Sequence, residues 1–170
     1  MEMKLVVGGR AQGKTEFARA LAAEAFREDG AGETMRTGGA CAAGRVKEEA
    51  AGRGRGGVCA KEEAAYQGGT EADGRVDDVE TAMRAAVILH VEAYVRRLME
   101  RGEDPFAFAE RLLRENPEAV AAADEIGCGI VPADAFLRKY RETAGRVCQR
   151  LAAGSDEVYR VICGIGKRMK

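Results

Sequence analysis

The pattern of hydrophobic and polar positions divides the chain into three parts. It opens on a short apolar run, Leu5-Val6-Val7, that ends in glycine, as a buried strand does. From 14 to about 27, Phe17, Ala18, Leu21, Ala22, Ala25 and Phe26 recur at helical spacing, and Asp29-Gly30 stops that helix. The first 30 residues therefore read strand, glycine loop, helix. The segment 31–75 breaks the pattern: its only large apolar residues are Met35, Val46, Val58 and Tyr66, and it carries runs such as Gly52-Arg53-Gly54-Arg55-Gly56-Gly57. So little apolar mass cannot build much core, and the segment reads as a glycine-rich, weakly ordered insertion or lid. Within it, 58–60 offers a remnant strand and 61–66 a helical turn.

Periodicity returns at Val76. Val76, Val79, Met83, Val87, His90, Tyr94 and Leu98 form a stripe at spacings of three and four. The stripe predicts one helix of about six turns. Asp77 or Asp78 would cap its start, and Gly102 would end it. Asp104 and Pro105 begin the next helix, which runs to Glu115 and stops at Asn116-Pro117. The apolar run 119–123 leads into Asp124-Glu125 and a loop, Gly127-Cys128-Gly129-Ile130-Val131-Pro132. A helix over about 133–153 follows, buried through Phe136, Leu137, Tyr140, Ala144, Val147, Cys148 and Leu151, and then a last buried strand from Glu157 to Cys163. Strands alternating with helices predict an α/β fold of three layers, a mostly parallel sheet with helices on both faces. At 170 residues the chain suits a single domain, 1–170, carrying 31–75 as its insertion.

Composition narrows the function. The 27 basic and 28 acidic side chains nearly cancel, which opposes a general nucleic-acid or membrane-surface binder. No apolar run approaches the roughly 20 residues that span a bilayer, and the N-terminus does not read as a signal peptide, so a cytoplasmic location is expected. The five cysteines form no C-x-x-C pair and match no zinc spacing; reduced thiols are expected.

The chemistry lies in the glycine loop. Gly8-Gly9-Arg10-Ala11-Gln12-Gly13-Lys14-Thr15 fits G-x-x-x-x-G-K-[ST] at every fixed position and sits between an apolar strand and an amphipathic helix. The glycines let backbone N–H groups close on phosphate oxygens, and the helix N-terminus adds positive potential. Lys14 neutralises phosphate charge, and the Thr15 hydroxyl suits Mg2+. This predicts a nucleoside triphosphate, ATP or GTP, as substrate. Such a site needs an acid on a neighbouring strand for the metal. Asp124 is the candidate, with Glu125 beside it as general base or to orient a hydroxyl nucleophile; the alternative is that both simply cap the next segment.

The C-terminal half carries a resemblance. Asp124-Glu125-Ile126-Gly127-Cys128-Gly129-Ile130-Val131-Pro132, then Arg138, Arg141, Gly145-Arg146-Val147 and Gln149-Arg150-Leu151-Ala152, then Asp156-Glu157-Val158 through Gly164-Ile165, resembles the adenosylcobinamide kinase/adenosylcobinamide-phosphate guanylyltransferase family, and the loop Gly8 to Thr15 is similar too. The resemblance implies a P-loop NTPase-like fold, homo-oligomers, and two activities of cobalamin (corrinoid) assembly. One phosphorylates the aminopropanol hydroxyl of adenosylcobinamide; the other transfers GMP from GTP through a guanylylated histidine.

The sequence departs from that pattern in three places. The family carries its histidine after the glycine-loop helix, where this chain has the glycine-rich middle; its one histidine is His90, on the stripe of the expected long helix. Cys148 stands where the family has asparagine. The family's strand with a metal-side Asp before a leucine-rich helix is replaced by that long helix. Kinase-type activity is therefore favoured over covalent guanylyl transfer. The alternatives are a nucleotide-binding switch and a degenerate homologue without phosphotransfer.

Overall fold

The computed structural model describes residues 3–30, 70–127 and 129–170. The expected strand at 58–60, the turn at 61–66 and Cys41, Cys59 and Cys128 lie outside them. Eleven elements follow in order: β1 (Lys4–Gly8), α1 (Lys14–Gly30), β2 (Glu71–Asp73), α2 (Val79–Ala82), β3 (Val87–Leu89), α3 (Val91–Glu100), α4 (Pro105–Glu115), β4 (Val120–Asp124), α5 (Ala135–Gly154), β5 (Glu157–Ile162) and β6 (Ile165–Arg168). The strands make one sheet in the order β2-β3-β4-β1-β5-β6. Its first five strands run parallel, and β6 turns back antiparallel on β5. This is the three-layer, mostly parallel α/β fold that the alternation of elements predicts.

Alternation along each strand divides the core between the two faces. Val6, Val87, Leu89, Val120, Ala122 and Val161 point to one face and pack with Ala18, Leu21 and Ala22 of α1. Leu5, Ile88, Ala121, Ala123 and Val158 point to the other, beneath α3, α4 and α5. Both faces of β3 and β4 are covered, which is why 87–89 and 120–123 read as unbroken apolar runs.

The long helix expected from Val76 does not form. Its place is taken by the one-turn α2, the strand β3 and then α3. The stripe spacing was a coincidence of two helices flanking a strand. Ala85, Val87, Ile88 and Leu89 are buried, whereas Val76 is 74% exposed. A three-residue strand hydrophobic on both faces has no period to tell it from a helix. A strand thus stands where the long helix was expected to have replaced one, but it ends at Leu89 and is followed by His90 rather than Asp. Asp78 still caps, but it caps α2, accepting from Thr81 N at 2.8 Å. The segment 31–75 also ends in order: Glu71–Asp73 adds the edge strand β2, clipped to α1 by two Arg19–Glu71 hydrogen bonds of 2.8 Å.

The other boundaries follow their caps. Asp104 accepts from Phe106 N with Pro105 in the first turn of α4, and Asp134 accepts from Leu137 N to start α5. The strand after α5 is half-buried rather than fully buried, because it lies next to the edge and is followed by β6.

Candidate active site at the glycine loop

β1 delivers Gly8 to the C-terminal edge of the sheet, where the chain must turn sharply into α1. No β-carbon fits at Gly8, since it would collide with the Val161 carbonyl. Ala11 and Gly13 take positive φ angles of 56° and 82°. A side chain at Gly13 would also press on Gly164 Cα at 3.1 Å. The loop is braced from the β5–β6 turn: Gln12 O accepts from Gly164 N at 2.9 Å, and Gln12 Oε1 accepts from Cys163 N at 2.7 Å. Gly13 O accepts from Phe17 N, the first helical bond of α1.

Lys14 and Asp124 meet at this edge. β1 and β4 are hydrogen-bonded neighbours with Gly8 in register with Asp124. Lys14 Nζ lies 2.5 Å from Asp124 Oδ1 and donates to Gly9 O at 2.7 Å. Lys14 is only 8% exposed, and its ammonium is held back against the loop by those two oxygens. Arg10, Ala11, Gln12, Gly13, Lys14 and Thr15 line a cavity of about 680 Å3. Its opposite wall is His90, Glu92 and Tyr140, with Arg75 and Arg96 adding cationic groups.

Glu125 is placed differently. Its backbone N–H donates to Gly8 O at 2.9 Å, but its carboxylate pairs with Arg160 Nη2 at 3.0 Å. It lines a second cavity, of about 550 Å3, between β1, β5 and α5, walled by Leu5, Val7, Ala144, Cys148 and Val158. The two cavities share Asp124 and Ile126. Cys148 has its thiol pushed up to about 11 by burial and by the nearby carboxylates of Glu92 and Glu125.

The arginines of the family-like stretch hold the loop after β4. Arg141 donates to the carbonyls of Gly127, Gly129 and Ile130, and Arg138 to those of Pro132 and Ala133. Both arginines thus hold described residues of the loop after β4, of which Gly127 lines the second cavity.

Two residues of the site were not legible as such. His90 was expected on the stripe of a long helix; it stands instead at the N-cap of α3 with φ 54°, at the end of β3. Its Nδ1 lies 3.2 Å from Glu92 Oε1. Glu92 is 8% exposed, and its Oε2 accepts from Asp124 N at 2.8 Å. Tyr140 Oη donates to Glu92 O at 2.9 Å, tying α5 to the same point, and burial foremost, with the Glu92 charge, pushes its phenol up to about 12. The available signal for Glu92 was an acid one helical turn before Val95, on the apolar side of its helix.

The model of the family described as cobinamide kinase / cobinamide phosphate guanyltransferase matches residues 4–169. The Bifunctional adenosylcobalamin biosynthesis protein CobU of Salmonella typhimurium (strain LT2) is 49% identical over 53 residues, 31% of this chain and 29% of that protein. Its namesake from Escherichia coli (strain K12) is 45% identical over 53 residues, with the same coverage. The matched stretch thus spans under a third of either relative. Among the described residues, no helix is long and apolar enough to cross a membrane. A family model that runs from the first strand to the last, over a six-stranded sheet with the glycine loop at its edge, makes this chain a member of the cobinamide kinase / cobinamide phosphate guanyltransferase family.

Proposed function

We propose that the protein is a kinase-type phosphotransferase of corrinoid assembly, using ATP or GTP to phosphorylate the hydroxyl of an adenosylcobinamide-like alcohol. The observation that carries this reading is the Lys14–Asp124 pair at the mouth of the glycine loop: a cation held by displaceable oxygens, beside backbone N–H groups and a helix N-terminus. A triphosphate entering the 680 Å3 cavity replaces Gly9 O and Asp124 as the partner of Lys14. Asp124 is thereby freed.

Thr15 and Asp124 both offer oxygen to a cation, and hard oxygen donors suit Mg2+. Mg2+ bound there supplies charge neutralisation on the transferred phosphoryl group. Lys14 contributes the same from the loop side, and the loop N–H groups fix the phosphate chain.

The acceptor belongs in the second, mainly apolar cavity, which meets the first at Asp124 and Ile126. Its size admits the alcohol-bearing arm of a corrinoid rather than the ring. Glu125 lines that side, where a base for the acceptor hydroxyl is needed, and must exchange its Arg160 partner to take the proton. The hydroxyl oxygen attacks the terminal phosphorus, the bond to the bridging oxygen breaks, and the nucleoside diphosphate leaves.

Covalent guanylyl transfer is not part of the proposal, because the one histidine of the chain is His90 and none falls in 31–69. The chain is taken as one domain, with 31–75 as an insertion, working as a homo-oligomer in the cytoplasm. Nucleoside diphosphate release, measured with and without adenosylcobinamide, tests the reading. Release that requires the corrinoid supports a kinase; release independent of it, or binding without turnover, supports the switch or the degenerate homologue.

A further inference from the structure

The wall of the cavity facing the glycine loop brings two further donors, His90 and Glu92, up to Asp124. One ligand atom each from His90, Glu92 and Asp124 lies within 4.8 Å of the others. They come from two places in the fold: His90 and Glu92 from the N-cap and first turn of α3, and Asp124 from the end of β4. Backbone anchors hold the set, since Asp124 N donates to Glu92 and Gly74 packs under His90 so closely that a β-carbon there would strike the His90 carbonyl.

The charge balance at Glu92 points to a cation. Glu92 is 8% exposed, and among the described residues no lysine or arginine is ion-paired with it; its partners are the His90 ring and an N–H of the backbone. A carboxylate so buried needs a compensating positive charge. Lys14 engages one oxygen of Asp124 and leaves the other. Distances agree with a shared ion. Donors at about 2.0–2.2 Å from one metal are separated by roughly 3.0–3.5 Å when adjacent and about 4.2 Å when opposite. The His90 Nδ1 to Glu92 Oε1 distance of 3.2 Å is an adjacent pair already, and the 4.8 Å bound requires shifts of side chains by less than about 1 Å.

We propose that His90, Glu92 and Asp124 bind a divalent cation of the first transition row or zinc in the absence of nucleotide, sharing Asp124 with the Mg2+ site proposed at Thr15 and differing from it by His90 and Glu92. One imidazole nitrogen with two carboxylates gives a mixed nitrogen–oxygen set that favours Mn2+, Co2+ or Zn2+ over Mg2+, which prefers oxygen and holds its waters. This goes beyond the phosphotransferase reading and stands without it.

The test is titration of the full, nucleotide-free chain with Co2+, followed by its visible absorption and by calorimetry, with Mg2+ in parallel. The expected result is one saturable equivalent of Co2+ without a thiolate charge-transfer band, and Mg2+ at least tenfold weaker. His90→Asn, which tolerates the positive φ, and Glu92→Gln should each weaken Co2+ at least tenfold while far-UV circular dichroism stays unchanged. Thr15→Ala should leave Co2+ binding unaltered. No saturable binding, binding carried by thiolate, or binding indifferent to His90→Asn and Glu92→Gln overturns the proposal. Because nucleotide is absent throughout, these outcomes are separate from the failure of nucleotide binding.

Discussion

Replacing Lys14 by Met removes the ammonium and keeps most of the buried stem, so the variant isolates charge. Two effects are expected, and they part in the assay. On the proposed reading, Lys14 makes charge-assisted hydrogen bonds to the phosphate of a bound nucleotide; such a bond contributes about 1.5–3 kcal/mol, so affinity should fall roughly 10- to 150-fold. In the free protein the loss is smaller. The Lys14 and Asp124 side chains are 9% and 15% exposed, so their pair is neither fully buried nor at the surface. Breaking a buried pair costs about 3–5 kcal/mol and a surface pair about 0–1. A cavity-facing pair should cost about 1–2 kcal/mol, and about 2–8 °C in Tm for a chain of this size. Adding Asp124→Asn to Lys14→Met removes the orphaned charge, so stability should return while affinity stays low. Calorimetric titration with ATP and GTP, with thermal melts of the three proteins, separates the terms. Affinity within about threefold of the parent in Lys14→Met would refute the reasoning, as would affinity regained in the double variant.

Further expectations follow from neighbouring groups. Tyr94 Oη is buried with no hydrogen-bond partner among the described residues, so Tyr94→Phe should leave stability within about 1 kcal/mol of the parent or raise it; a loss above about 2 kcal/mol in urea denaturation would show that the hydroxyl has a partner. With its thiol pushed up to about 11 by burial, Cys148 is almost wholly protonated at pH 8, and its thiolate fraction should rise only as pH approaches that value. Alkylation at pH 8 should therefore mark exposed Cys163 well before Cys148 by peptide mass mapping, and the reverse order would contradict the burial argument. Glu125→Gln should lower phosphotransfer by about 10²–10⁴-fold, the span of general-base catalysis, with nucleotide affinity unchanged; unimpaired turnover would remove Glu125 from the reaction.

How far the sequence carried can be traced element by element. β1, the glycine loop, α1, α4 and β4 were legible because each has a strong local cause: an apolar run into glycine, an Asp-Pro start, or a run bounded by turns. α5 was legible from the stripe through Ala144, Val147 and Leu151, all buried. β3 was hidden because Val87, Ile88 and Leu89 are buried on both faces, and neighbouring helices extended a false period across them. β2 was hidden because Glu71-Ala72-Asp73 gains strand form only by pairing with β3, a long-range effect that local composition does not record. The β6 hairpin was missed in the same way: its residues are mostly exposed and carry little pattern. At the candidate site, the placement of Lys14, Thr15 and Asp124 around one cavity was legible from motif and strand end. Glu92 and the true place of His90 depended on β3, and so disappeared with it.

The central claim is that this chain carries phosphate from a nucleotide to a corrinoid alcohol. The most direct measurement is mass spectrometry of adenosylcobinamide after incubation with the protein, Mg2+ and either ATP or GTP. The account predicts a product heavier by one phosphoryl group, absent with Lys14→Met. A corrinoid recovered unchanged with both nucleotides, or one that gains GMP together with a GMP adduct on the protein, would contradict it.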